Sequence, residues 1–399
     1  TSFLVFVMEN SSGDISSLER EASCETTSPE RLKQLAKKSP QLAQQIAQNP
    51  ATPAELLQEL CREERATRKA VAANPNAPTE VLLELGAEFP EQLLDNPIFA
   101  LLTLESPNFV LKMPQNTLER LLRCDRTPQF VFEQAAHYSA QSLRRGLVEN
   151  PRTPVSALEQ LAKDKESIIR YFVASRPSTP VSLLEQLMHD RDKTVRRAVV
   201  RNPSTPVSML EQLARDRNGI VRRAVVGNPS TPIAIIEQLA SDRNRDVRCA
   251  VARHSQTPPS LLEQLARDRD DQVRAAVVKN VKTPSAILKE LASDRDRDVR
   301  STVAKSSRIP SSVVAELAQD RDRDVRCAVA RNPKTPNSLL KKLAKDEAVM
   351  VRAAVAHNPK TPAKTLEELK LDKDWLLFDI YRRSKHNLRY SIRIDTSQE

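Results

Sequence analysis

From Asn150 onward the dipeptide Thr-Pro returns at 153–154, 179–180, 205–206, 231–232, 257–258, 283–284, 335–336 and 361–362, with Ile309-Pro310 in the single gap. The interval is 26 residues throughout, without an insertion. One unit, 190–215, reads DRDKTVRRAVVRNPSTPVSMLEQLAR, and its neighbours differ mainly at surface-type positions. A unit this short cannot bury its own apolar face, so successive units must stack and share one continuous core.

Each unit reads as two short helices. Val195, Ala198 and Val199 fall at i, i+3 and i+4, so a first helix buries that stripe and breaks near Asn202-Pro203. Thr205 is expected to cap a second helix with Pro206 at its first position, and Val207, Leu210 and Leu213 to form its apolar face. Helices of about two turns are marginal alone and depend on their neighbours. Only 5 glycines occur in 399 residues, which argues against hairpin-rich β folds and phosphate-cradling loops, both of which need Gly at positive φ.

The rhythm continues backward, less regularly, through Ser28-Pro29, Thr52-Pro53, Ala77-Pro78 and Thr127-Pro128, while Phe89–Pro114 keeps the apolar content without the motif and reads as an irregular repeat with a kink. Trp375, Leu377 and Phe378 are expected to close the last interface as a C-terminal cap. The expected organisation is an N-terminal extension over 1–26, disordered; degenerate, acidic repeats over 27–150; the regular, basic array over 151–376; and a basic tail over 377–399. Thr1–Val7 lacks the basic start of a signal peptide and reads as an upstream extension before Met8.

The unit pattern DxxxxVRxAVxxNPxTPxxxLxxLA resembles the variant leucine-rich repeat family, and its Asp-x5-Arg step is similar to HEAT repeats. The resemblance covers roughly residues 27–376. It implies an all-α, right-handed α-solenoid of two-helix repeats, α/α or α/3₁₀. The family's archetype also carries a cysteine-cluster iron–sulfur module. Here Cys24, Cys61, Cys124, Cys249 and Cys327 are scattered without C-x-x-C spacing, so no metal and no cofactor is expected. Cys249 and Cys327 share one repeat position with Ala275 and Ser301, which marks a tolerant packing slot, and a reducing, cytoplasmic setting is expected.

Three charged ladders follow the repeat. Arg170, Arg196, Arg222, Arg248, Arg274, Arg300, Arg326 and Arg352 follow Asp164, Asp190, Asp216, Asp242, Asp268, Asp294, Asp320 and Asp346 by six residues. These arginines lie beside the apolar stripe, where an unpaired guanidinium would be costly, so they are expected to pair with the aspartates within or between units. Arg191, Arg217, Arg243, Arg269, Arg295 and Arg321 sit in acid-rich loops and read as solvated. The third ladder, Arg201, Gly227, Arg253, Lys279, Lys305, Arg331 and His357, stands one helical turn beyond Arg197, Arg223, Cys249, Ala275, Ser301, Cys327 and Ala353. Both sets are expected to face away from the stripe, with Arg197, Arg201, Arg223, Arg253, Lys279, Lys305 and Arg331 forming a basic binding strip.

Charge is divided unevenly: residues 1–150 hold 15 basic and 20 acidic side chains, residues 151–399 hold 47 and 32. A basic array suggests an acidic partner, here a protein or the acidic part of a second copy, with phosphate-backbone binding to nucleic acid as the alternative. Phe, Tyr and Trp are absent between Phe172 and Trp375, which disfavours recognition by base stacking. His137, His189, His254, His357 and His386 stand apart and no G-x-S-x-G or H-E-x-x-H occurs, so no enzyme, no small-molecule substrate and no membrane span is expected.

Overall fold

The computed structural model describes residues 16–106 and 108–371, and all regular structure among them is α-helical. The chain divides into two compact units, one ending at Ser204 and one beginning at Thr205, a boundary inside the regular array. Each unit is a run of α-solenoid repeats. The second segment of each repeat, for which 3₁₀ geometry was an alternative, is α-helix in every described repeat.

The repeat 268–293 illustrates the construction. Asp270 caps the first helix, Asp271–Lys279, its side chain accepting from the Gln272 N–H. Val273, Ala276, Val277 and Val278 of that helix are buried, a stripe wide enough to meet neighbours on two sides. The chain turns at Asn280, and the second helix runs Ser285–Ala292 with Ile287, Leu288, Leu291 and Ala292 buried. Within each unit, first helices of successive repeats pack directly on each other, and second helices rest against the first helices adjacent to them in the chain. A fully buried Val, Leu or Ile contributes about 1.5–3 kcal/mol, so the shared core carries most of the stability.

Three local expectations are corrected. Thr205 and its equivalents do not cap the second helix: Pro206, extended at φ −66° and ψ 156°, holds the cap position, and helix Val207–Leu213 begins after it. The Thr hydroxyl is used on the preceding helix instead, where Thr231 donates to the carbonyl of Val225 and Thr335 to that of Val329, each at 2.6 Å. Val207 is 41% exposed, and Met209 joins Leu210 and Leu213 inside. On a helix turning about 100° per residue, the line through those three leaves Val207 on the flank. Finally, residues 16–23, within the extension expected to be disordered, are helical. They are held by the Glu21–Arg31 pair at 2.6 Å and by the Asn49 amide, which donates to the carbonyls of Ala22 and Cys24 at 3.0 Å.

The irregular stretch contains three helices, Pro90–Asp95, Pro97–Glu105 and Phe109–Lys112. Gly86 stands just before it because a Cβ there would collide with the side chains of Leu93 and Thr117. The expected cap residues Trp375, Leu377 and Phe378 and the tail 377–399 lie outside the described residues, as does Thr1–Val7.

Candidate interaction surface

The arginine ladder is a set of buried bridges between repeats. Arg274 is 5% exposed; its Nε donates to Asp294 Oδ2 at 2.7 Å, its Nη2 to Asp294 Oδ1 at 2.9 Å, and its Nη1 to the Asp268 carbonyl at 2.8 Å. The carboxylate therefore comes from the next repeat, whereas the aspartate six residues earlier supplies only its backbone oxygen. The same pairing joins Arg170 to Asp190 in the first unit and, in the second, Arg222 to Asp242, Arg248 to Asp268, Arg300 to Asp320 and Arg326 to Asp346. Arg196 and Arg352 bind the carbonyls of Asp190 and Asp346 at 2.7 and 2.8 Å.

Arg144, buried against Asp164 at 2.6 Å, is a further rung that the sequence reading missed. Six residues before it stands Tyr138, whose carbonyl serves as well as an aspartate's at 2.8 Å. Each ladder aspartate also accepts from the N–H two residues on, as Asp294 does from Asp296 at 2.8 Å. Burial pushes the Asp294 carboxyl up, but the Arg274 guanidinium and the Asp296 N–H pull it down further, so it titrates below the ordinary carboxylate range.

A second ladder, of asparagines, was also missed. Asn280 Nδ2 donates to the carbonyls of Ala252 and His254 at 2.7 and 2.9 Å, and its Oδ1 accepts from the Lys282 N–H at 2.9 Å. Asn332 and Asn358 repeat this in the second unit, and Asn74 and Asn202 in the first. These side chains satisfy carbonyls left open at the C-terminus of the preceding repeat's first helix. The signal was present as Asn-Pro at most of these positions, Asn280 preceding Val281 instead, yet a polar residue before proline reads simply as a helix stop. Where Asn is replaced by Ser306, Arg308 reaches the Val278 carbonyl at 2.6 Å instead.

The basic strip is placed only partly as expected. Arg201 of the first unit and Arg253, Lys279, Lys305 and Arg331 of the second are exposed, each the last residue of its helix. Arg223 is exposed as well. The position one turn earlier faces inward in most repeats: Cys249, Ser301, Cys327 and Ala353 are buried, and Arg197 is half-buried with its Nε in contact with no acceptor. The neighbouring first helix covers that side, so the strip is one residue wide. None of Arg201, Arg253, Lys279, Lys305 and Arg331 has an ion-pair partner among the described residues. By contrast, Arg245 and Arg297, at the opposite end of the same helices, lie within 4 Å of carboxylates of their own and the next repeat. Asp296 and Asp322, in loops read as solvated, cap helices.

Among the described residues, no group of three His, Cys, Asp or Glu could hold a metal ion, and no helix is long and apolar enough to cross a membrane. Burial pushes the Cys249 and Cys327 thiols up, away from the thiolate form a nucleophile needs. A depression of about 690 Å³ lined by Cys61, Arg65, Arg68, Glu84, Glu88 and Arg120 is closed electrostatically by Glu88, which pairs with Arg68 at 2.8 Å and Arg65 at 3.5 Å.

Residues 16–60 match the family model of the leucine-rich repeat variant domain, and residues 194–218 and 245–270 match that of the leucine-rich repeat variant. Three stretches of the chain are thus similar to leucine-rich repeat variant units. A solved leucine-rich repeat variant, described as having a novel repetitive structural motif, is 28% identical over 58% of this chain and 87% of its own, with a TM-score of 0.42. A crystal structure of importin beta aligns at 12% identity and a TM-score of 0.21, covering 89% of this chain, which spans 47% of that one. No curated protein matches the chain. In this chain the Arg–Asp and Asn ladders join one repeat to the next.

Proposed function

We propose that this chain is a non-enzymatic repeat scaffold that binds an acidic protein along the first-helix ends of its second unit. The observation that carries the reading is the row Arg253, Lys279, Lys305 and Arg331, which stand at one repeat position in consecutive repeats, exposed and without ion-pair partners among the described residues. A cation on the last residue of a helix gains about 0.3–1 kcal/mol from the helix dipole, which accounts for part of its recurrence. That gain does not discharge the surface. An array whose buried polar groups are committed to joints, and whose histidines and cysteines do not converge among the described residues, supports binding rather than chemistry.

The test is replacement of Arg253, Lys279, Lys305 and Arg331 by Glu. Binding of poly-L-glutamate at low salt, followed by fluorescence anisotropy, is expected to weaken by at least about tenfold, with an unchanged helical circular dichroism spectrum. Undiminished binding by the variant, or none by the parent chain, sinks the reading. The nucleic-acid alternative predicts a steep fall in affinity for duplex DNA with rising salt.

A further inference from the structure

We propose that the second unit takes its acidic partner as an extended, polyproline-type segment carrying a carboxylate at every third residue, in step with the repeats. This rests on the basic-surface reading above and adds a register to it.

A second row of cations runs beside the first. Lys282, Lys334 and Lys360 are exposed in the turns, three residues beyond Lys279, Arg331 and His357. Their ammonium groups have no partner among the described residues. Arg308 occupies the same place in the intervening repeat, but its guanidinium is bound to the carbonyls of Val278, Val281 and Thr283. The turn cations lie past the helix end, so the dipole argument does not account for them. Nor does the fold require them: Ser204 and Ser230 and then Gln256 fill the same position in earlier repeats. Lys282 lies close enough to the preceding turn that, after burial, its charge is the second cause holding the His254 imidazole below its ordinary value. Because these residues share one repeat position, the turn row follows the stacking direction, as the helix-end row does.

The spacing of the rungs selects among acidic ligands. Packed helices lie about 8–10 Å apart, which sets the distance between equivalent residues of successive repeats. A polyproline-type chain has three residues per turn and rises about 3.1 Å per residue, so every third side chain returns to one face after about 9.3 Å. A β-strand presents same-face side chains at about 6.7 Å and falls out of step within two repeats. An α-helix offers about 10.5 Å per seven residues, but its face drifts by about 20° each time. Duplex DNA presents charge about every 1.7 Å along its axis and has no period to match. The extended segment alone can meet one carboxylate with a helix-end cation in each consecutive repeat, with Lys282 and Lys334 adding a second cation beside Lys279 and Arg331.

The experiment uses the full chain and two peptides of equal composition, each about fifteen residues long: (Glu-Pro-Ala) repeated, and one with all glutamates in a block. By fluorescence anisotropy at about 50 mM salt, the periodic peptide is expected to bind at least about tenfold more tightly. The K282Q/K334Q/K360Q variant is expected to lose that preference while keeping its melting temperature. Equal affinity for both peptides overturns the register and leaves the basic surface standing. Binding of neither overturns both readings. Duplex DNA that displaces the periodic peptide at equimolar concentration overturns the choice of a peptide ligand.

Discussion

Arg274 and Asp294 show how much rests on single side chains in this protein. The pair is buried, bidentate and shared between repeats, and Arg274 also satisfies the Asp268 carbonyl. Removing one partner strands a charge away from water, which costs about 3–5 kcal/mol, whereas replacing both by apolar groups of similar volume is often neutral. Arg274→Met is therefore expected to lower the urea midpoint markedly, and Arg274→Met combined with Asp294→Leu to recover much of the loss. If the double variant is as unstable as the single one, the carbonyl contact rather than the ion pair dominates. That the arginine must have a partner was legible in the sequence, because a guanidinium beside Val277 and Val278 cannot remain unpaired. Which aspartate serves it was not legible: the nearer one along the chain offers its carbonyl, and the one twenty residues on offers its carboxylate.

At the scale of elements, the turn between the two helices does more than stop one and start the next. Thr335 donates to the Val329 carbonyl, Asn332 to the Ala304 and Ser306 carbonyls of the repeat before, and Pro336 sets the extended backbone from which the second helix departs. Thr335→Val keeps the β-branched shape and removes the hydroxyl, so it is expected to cost about 1 kcal/mol or somewhat more, with Thr335→Ser milder. Chemical denaturation of the two variants measures this; equal losses would point to packing of the methyl group instead. The repeat interval, the two helices and the inner stripe were all readable from periodicity. The duties of Thr and Asn were not, because a helix-start signature and a carbonyl ligand use the same residue types. The inward turn of Cys249 and Cys327 was also hidden, since only the neighbouring first helix makes that side an interior.

For the whole molecule, the aspartate bridges set its response to acid. Asp190, Asp242, Asp268, Asp294, Asp320 and Asp346 all titrate below their ordinary value: burial pushes each up, and the arginine and backbone donors outweigh it. A carboxyl depressed in the folded state binds its proton more weakly than in the unfolded chain. The stability it lends is then complete above the unfolded value of about 3.9 and is lost as pH falls through the lower folded value. Melting temperature is expected to be nearly flat from about pH 8 to pH 5 and to drop steeply below about pH 4. A decline already evident near pH 6 would implicate other groups.

Because every Arg–Asp joint along the second unit has the same donor, acceptor and reach, one repeat can follow any other without a tailored seam. Loss or duplication of a whole 26-residue segment leaves each guanidinium facing an aspartate, whereas a single residue inserted between an arginine and the aspartate twenty residues on breaks the spacing of that one joint. Length in this architecture is thus free to change in whole steps, and the number of cationic rungs offered to a ligand changes with it.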